Sequence, residues 1–134
     1  MYRGGCLCGR VRYEIRGGLR NLVLCHCSQC RKAQGSAFAA NAIVDQDGFH
    51  LVSGAEVLKG YESAPGKVRY FCATCGSPIM SRNQATPRQV RIRLGSLDSD
   101  IRERPEARIF VTSKANWDDI SDDLPQYEGE EPGR

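Results

Sequence analysis

Seven cysteines, confined to three short clusters, constrain this 134-residue chain more than any other feature. The clusters are Cys6-Leu7-Cys8, Cys25-His26-Cys27-Ser28-Gln29-Cys30 and Cys72-Ala73-Thr74-Cys75. They divide most simply into a set of four and a set of three. Four thiolates close a tetrahedral zinc site, which is then structural, whereas three leave one coordination position open to water or substrate. The count therefore predicts one zinc ion that stabilises the fold and a second that acts in chemistry.

The length fits a single domain. We place this zinc-binding domain at residues 1–127. Residues 128–134 consist of Gly, Pro and Glu with one Arg, a composition that cannot bury enough apolar surface to fold. We therefore expect a disordered C-terminal tail at 128–134.

Charge and hydropathy disfavour several classes of partner. The net charge of +3 is compatible with a small anionic substrate but is not the strong basic bias of a nucleic-acid binder. No stretch approaches the roughly 20 apolar residues of a membrane span, and the N-terminus carries no apolar signal segment. We expect a cytoplasmic protein, in a compartment where cysteines more often bind metal or catalyse than form disulfides. An odd cysteine count also argues against a simple disulfide framework.

The pattern along the chain predicts a mainly β fold. Val11, Tyr13 and Ile15 alternate with polar residues, which is the period of a half-buried strand. Further strands are predicted at 21–24, 38–44, 50–53, 57–62, 68–71, 79–82, 89–94 and 108–112, separated by turn residues. A short helix is expected from Ser28, as its N-cap, to about Gln34, ended by Gly35. Near the C-terminus, Trp117, Ile120 and Leu124 are expected to pack across the core.

The first and last clusters form the predicted closed site. In an extended segment, the two cysteines of Cys6-x-Cys8 point to one face. Cys72-x-x-Cys75-Gly76 resembles a zinc knuckle, a tight turn in which Gly76 can adopt a left-handed conformation. Together these four cysteines would tie the start of the chain to a segment past its middle, so metal binding would be coupled to folding.

The middle cluster forms the predicted open site. Cys25, Cys27 and Cys30 are close enough in sequence to hold one metal ion at a strand-to-helix corner. Cys30 falls in the first turn of the predicted helix, where the helix dipole and the basic residues Arg31 and Lys32 favour thiolate. The open position could accept a substrate sulfur, and Arg31 and Lys32 are candidates to hold a carboxylate of that ligand.

Other interpretations of the cysteines stay open at this point. The middle cluster could ligate an iron–sulfur cluster, or both sites could be purely structural. Buried cysteines that act as small hydrophobic residues are the least favoured, because all seven occur at ligand spacing. His26 alternates away from its cysteine neighbours, so it is expected beside the metal or at the surface rather than as a ligand.

Four segments resemble the glutathione-dependent formaldehyde-activating enzyme family, which includes centromere protein V-like proteins. The first is Gly5-Cys6-Leu7-Cys8-Gly9-Arg10-Val11-Arg12-Tyr13, similar to a G-C-x-C-G-x-V-x-Y opening. The others are Cys25-His26-Cys27-Ser28-Gln29-Cys30-Arg31-Lys32, Phe71-Cys72-Ala73-Thr74-Cys75-Gly76, and the ending Ile109 to Trp117 with Leu124-Pro125-Gln126-Tyr127. Arg108, where many members have His, and Asn116, where many have Pro, depart from the pattern without touching the cysteine core.

The resemblance implies a twisted β fold of the Mss-four-like type (GFA domain) with two zinc ions per chain. Structural zinc would be held at Cys6, Cys8, Cys72 and Cys75, and catalytic zinc at the three positions of the middle cluster. The implied activity is that of S-(hydroxymethyl)glutathione synthase, a carbon–sulfur lyase that condenses glutathione with formaldehyde. The alternatives are the same site acting on a different thiol adduct or aldehyde, and a zinc-stabilised binding module without catalysis.

Overall fold

Two antiparallel-rich sheets and one short helix form the protein in the computed structural model, which describes residues 1–133. The elements within these residues are β1 (Tyr2–Gly5), β2 (Arg12–Ile15), β3 (Arg20–Cys25), α1 (Ser28–Gln34), β4 (Ala39–Asp45), β5 (Phe49–Ser53), β6 (Leu58–Ala64), β7 (Lys67–Cys72), β8 (Pro78–Asn83), β9 (Gln89–Arg93) and β10 (Ala107–Ile109). Short 3-10 turns lie at Gln46–Gly48, Leu94–Ser96 and Val111–Ser113. The predicted mainly β class with twisted sheets is confirmed.

Strand order brings distant parts of the chain together. The small sheet has the order β1-β2-β5, and the large sheet has the order β10-β3-β4-β9-β8-β7-β6. The strand pairs are antiparallel except for β10, which runs parallel to β3 with Ile109 opposite Cys25. This order places β3, which leads into the middle cysteine cluster, two strands from the buried arginines of β9.

The hydrophobic core joins the two sheets. The predicted alternation in β2 is confirmed, because Tyr13 and Ile15 are buried while the alternating residues Arg12 and Glu14 are more exposed. They form one buried cluster with Ile79, Val90 and Ile92 of the large sheet. Full burial of side chains of this size contributes about 1.5–3 kcal/mol each, so the small sheet is held mainly by this face.

Two elements differ from the sequence-based prediction. β1 was missed because its sequence, with two adjacent glycines, lacks apolar alternation, and it is specified by pairing with β2, where Tyr2 lies opposite Ile15. The last strand, predicted at 108–112, ends at Ile109. Phe110 adopts a left-handed conformation with φ of 53°, and a 3-10 turn follows.

The C-terminal region packs differently from the expectation. Trp117 is 68% exposed because it lies in a turn that faces solvent, so the prediction that it packs across the core is wrong; Ala115 is buried instead. Residues 128–133 contain no helix or strand, yet the Phe110 N–H donates to the Gly129 carbonyl and Glu131 is buried. The boundary at residue 127 and the disorder of the tail stay predictions, and Arg134 lies outside the described residues.

Within residues 1–133, no helix has both the length and the apolar character needed to cross a bilayer. The single α-helix of that region, α1, has seven residues.

Candidate metal and substrate site

The first and last cysteine clusters meet in one four-thiol group. Cys6 and Cys8 lie in the turn after β1, Cys72 ends β7, and Cys75 lies in the turn before β8. All four sulfur atoms lie within 4.8 Å of one another. The Cys6–Cys8 sulfur distance is 3.6 Å and the Cys8–Cys72 distance is 3.8 Å. A tetrahedral zinc ion with bonds of about 2.3 Å requires sulfur separations of about 3.8 Å, so this donor set fits zinc.

The local backbone explains how these turns hold their thiols. The Gly76 N–H donates to the Cys72 carbonyl, and Gly76 adopts the predicted left-handed conformation with φ of 79°. The Val11 N–H donates to the Cys6 sulfur at 3.2 Å. Ser77 hydrogen-bonds Cys75 through its hydroxyl, at 3.2 Å, and through its backbone, which lowers the pKa of Cys75 to about 5. A thiolate, which is the ligand form, is therefore favoured there at neutral pH.

The middle cluster forms a separate three-thiol group. Cys25 ends β3, Cys27 immediately precedes α1, and Cys30 lies in its first turn, with all three sulfurs within 4.8 Å of one another. The Cys30 N–H donates to the Cys27 sulfur at 3.3 Å. Cys27 is therefore the N-cap of α1, and the prediction of Ser28 as the cap is wrong, because the sulfur accepts the bond that the hydroxyl was expected to accept. The predicted end at Gly35, with φ of 59°, is confirmed.

Negative charge in the middle cluster concentrates on Cys30. Hydrogen bonds from Cys25 and Cys27, together with the charge of Arg69, lower the pKa of Cys30, whereas hydrogen bonds with Cys27 and Cys30 raise the pKa of Cys25. Arg69 lies on β7 and is only 8% exposed. Both of its terminal nitrogens approach the Cys30 sulfur at 3.8 Å, while its Nε donates to Ser63. The cluster is thus preorganised to carry anionic sulfur, as a divalent metal requires.

A cavity of about 310 Å³ opens directly onto the three cysteines. Its wall includes the cationic side chains Lys67, Arg91 and Arg93. Polar side chains of the same wall are Ser28, Gln29, Asn41, Ser81, Asn83, Ser113 and Glu130. A larger cavity of about 590 Å³ lies beside Cys6 and Leu7 but includes no cysteine of the middle cluster, so the smaller cavity is the candidate substrate site.

His26 anchors the loop that carries the middle cluster. Its side chain is fully buried and lies outside the three-thiol group, which excludes the surface alternative. Arg108 of β10 donates to His26 Nε2 at 3.0 Å and binds Asp122 through two nitrogens. Burial and the charge of Arg108 lower the pKa of His26, so the ring is a neutral acceptor. Arg108 therefore contacts the loop between Cys25 and Cys27 through His26.

The structure does not bring the predicted substrate residues to the cavity wall. Neither Arg31 nor Lys32 lines it, and the Arg31 Nε instead donates to the Ser113 carbonyl at 3.1 Å. The cations that do line it were missed. Arg91 and Arg93 alternate with apolar residues and so were grouped on the polar face of β9, yet they are 8% and 5% exposed because this central strand is covered on both faces.

Comparison with known proteins gives one consistent family. A model of the family "Glutathione-dependent formaldehyde-activating enzyme" matches residues 1–113. Two curated relatives, from Aspergillus flavus and Aspergillus oryzae, are each named "Putative glutathione-dependent formaldehyde-activating enzyme". Each is 29% identical over 79 residues, which is 58% of this chain and 41% of the relative.

A solved structure extends the comparison to the fold. A crystal structure of a Rhodobacter sphaeroides protein is similar with a TM-score of 0.60 and 29% identity, covering 75% of this chain and 91% of that one. The match to the fungal relatives spans less than half of their length, so their whole activity does not transfer directly. The chain belongs to the glutathione-dependent formaldehyde-activating enzyme family.

Proposed function

We propose that this protein is a zinc-dependent enzyme that condenses glutathione with formaldehyde, an S-(hydroxymethyl)glutathione synthase of the carbon–sulfur lyase class. Cys25, Cys27 and Cys30 would hold the catalytic zinc, and Cys6, Cys8, Cys72 and Cys75 the structural one. One observation carries the proposal: a three-thiol group, separate from a four-thiol group, opens onto a cavity with cationic walls. A purely structural second site has no need of such a cavity.

Zinc on three thiolates would supply an open coordination position that favours the thiolate form of an incoming thiol. The chain's own residues prepare this site. Arg69 stabilises negative charge at Cys30, and the hydrogen bond from Arg108 to His26 fixes the loop between Cys25 and Cys27. The cavity limits where the aldehyde can approach the sulfur, which is a positioning effect.

The proposed reaction conserves atoms and charge. A sulfur–carbon bond forms as the π electron pair of the aldehyde moves to its oxygen. The proton lost by the thiol ends on that oxygen, and the product is the hydroxymethyl thioether. No oxidant or reductant is needed. The family to which the chain belongs and the names of its fungal relatives support this substrate pair.

The test compares catalysed with spontaneous addition, since thiols add to formaldehyde unaided. The exchange rate between glutathione and its hydroxymethyl adduct is measured by NMR with and without zinc-loaded protein. We expect an increase proportional to protein concentration, abolished by Cys27→Ser. Metal analysis of that variant should still find the four-cysteine ion. If the wild-type protein leaves the buffered rate unchanged, the synthase proposal fails and a non-catalytic zinc module is the better description.

A further inference from the structure

We propose that residues 125–131 form a strap that closes the three-cysteine cavity, with a fixed anchor at 125–127 and a releasable tip at 129–131. While the tip is docked, only small molecules reach the three thiols, and its release admits bulky ones. Such a gate goes beyond the proposed function, because it controls access to the cavity whatever reaction takes place there. The strap also lies beyond residue 113, where the family match ends.

The anchor is held by backbone hydrogen bonds to the end of β10 and to the turn that follows it. The Arg108 N–H donates to the Pro125 carbonyl at 2.9 Å, and the Tyr127 N–H donates to the Arg108 carbonyl at 2.9 Å. The Val111 N–H donates to the Tyr127 carbonyl at 3.1 Å. The Tyr127 side chain also packs against the buried cluster that includes Cys30. These contacts fix the anchor beside the three-cysteine group.

The tip continues from the anchor to the cavity wall. The Phe110 N–H donates to the Gly129 carbonyl at 3.2 Å, a longer bond than those of the anchor. The next residue, Glu130, lines the cavity, and Glu131 is only 6% exposed. Residues 128–133 contain no helix or strand, so no ladder of backbone bonds holds the tip in place. Segments of this kind open at lower free energy than the elements around them.

Phe110 joins the tip to the cavity. It follows β10 directly, adopts the left-handed conformation with φ of 53°, and lines the cavity together with Cys25 and Cys27. This conformation is strained for a residue with a Cβ, and it persists only where the surrounding structure imposes it; such residues cluster at ligand clamps and switch regions. The same residue supplies the N–H that binds Gly129. The tip and one wall of the cavity therefore share a strained hinge.

Closure by the tip would select molecules by size. With Glu130 in its wall, the cavity has a volume of about 310 Å³, at the lower end of the range for small-molecule pockets. A molecule of a few atoms fits this volume as it stands, whereas a bulky one requires that the wall open. The reaction of a bulky molecule at the thiols is then reduced by the fraction of time that the tip is released.

Alkylation with two reagents of different size tests the strap without a catalytic readout. Iodoacetamide is the small reagent, and a maleimide joined to a long polyethylene glycol chain is the bulky one. Mass spectrometry of peptides follows the modification of each cysteine. The measured quantity is the ratio of the bulky reagent's rate to the small reagent's rate, because metal occupancy and thiolate content act on both rates in the same direction.

Two charge-reversal variants form a matched pair. Glu131→Lys places an ammonium group where the side chain is buried, so it should release the tip. Glu128→Lys makes the same charge change at an exposed position of the same segment that does not line the cavity. For the three-cysteine group, we expect Glu131→Lys to raise the rate ratio about tenfold, the scale of one lost contact to a charged group. Glu128→Lys should leave the ratio unchanged.

Deletion of residues 129–134 removes the tip outright and should raise the ratio at least as far as Glu131→Lys does. The exposed thiol of Cys8 is the internal reference, and its ratio should not change in any variant. Circular dichroism establishes that each variant is folded, and the deletion carries the test if Glu131→Lys is not.

A deletion variant with the wild-type ratio, or equal increases in Glu131→Lys and Glu128→Lys, would refute the strap even if the enzyme accelerates adduct formation. A raised ratio in a protein that does not accelerate adduct formation would support the strap and refute only the proposed synthase activity.

Discussion

The two cysteine groups should differ in their effect on stability, because they close loops of very different length. Cys8 and Cys72, whose sulfurs are 3.8 Å apart, are separated by 64 positions. The chain-entropy relation for a cross-link of that span gives about 4 kcal/mol. An unfolding entropy of about 2.1 cal/mol/K per residue amounts to about 0.28 kcal/mol/K for this chain. Removing the tie should therefore lower the melting temperature by about 14 °C.

The measurement compares two double variants of the zinc-loaded protein by thermal unfolding. Cys6→Ser with Cys8→Ser removes the N-terminal half of the four-cysteine group. Its matched control, Cys25→Ser with Cys27→Ser, likewise removes one buried and one more exposed cysteine. The middle cluster closes only a few residues, worth about 2 kcal/mol or about 8 °C by the same relations.

Each double variant should also lose one metal ion per chain by elemental analysis. An equal loss of melting temperature in the two variants, or a larger loss from the middle cluster, would refute the assignment of a fold-stabilising site and a separate reactive site. Addition of a chelator to the wild type should lower the melting temperature at least as far as the first variant does.

Three further results are expected. Gly54→Ala should lower the free energy of unfolding in urea by about 1–3 kcal/mol, because Gly54 has φ of 89° and an added Cβ would overlap a backbone carbonyl oxygen. The control Gly18→Ala, at a position with open space around it, should change this free energy by less than about 0.5 kcal/mol. Arg108 lowers the pKa of Asp122, so this ion pair stabilises the folded protein at pH values above the unfolded aspartate pKa of about 3.9. That stabilisation is lost as the pH falls below this value. Arg108→Gln should therefore show a smaller acid-induced loss of folding stability, and an unchanged pH profile of stability would contradict the pair. Arg69→Met removes the cation that lies 3.8 Å from the Cys30 sulfur. This variant should slow iodoacetamide alkylation of the metal-free middle cluster at pH 7, since less thiolate is present. A rate equal to that of the wild type would contradict stabilisation of the Cys30 thiolate by Arg69.

Local rules predicted much of the fold. The helix Ser28–Gln34 and its end at Gly35 follow from turn and capping chemistry, and the strand at β2 follows from its period of two. The same rules failed where contacts between separate segments of the chain determine the local structure. β1 forms because β2 offers it a partner, and the N-cap is the Cys27 sulfur because the cluster geometry brings it to the Cys30 N–H.

Cysteine spacing also predicted the metal-binding groups, because bidentate motifs such as Cys72-x-x-Cys75 bring donors together through local backbone geometry. The structure brings all seven sulfurs into the predicted four and three. The residues that line the candidate substrate cavity could not be predicted from sequence spacing. Arg31 and Lys32 were chosen because they are adjacent in sequence, yet the cavity is lined by Lys67 and other cations from strands remote in sequence.

The sequence by itself determined which donor atoms exist and that they fall into a group of four thiols and a group of three. The spacings within each cluster, of two or three positions, are local properties. Only the tertiary structure decided what surrounds the group of three. The tertiary packing places β7 and β9 beside the cluster, covers β9 on both faces so that Arg91 and Arg93 are buried, and brings Glu130 to the cavity. Burial and long-range charge depend on these contacts, which no local pattern encodes.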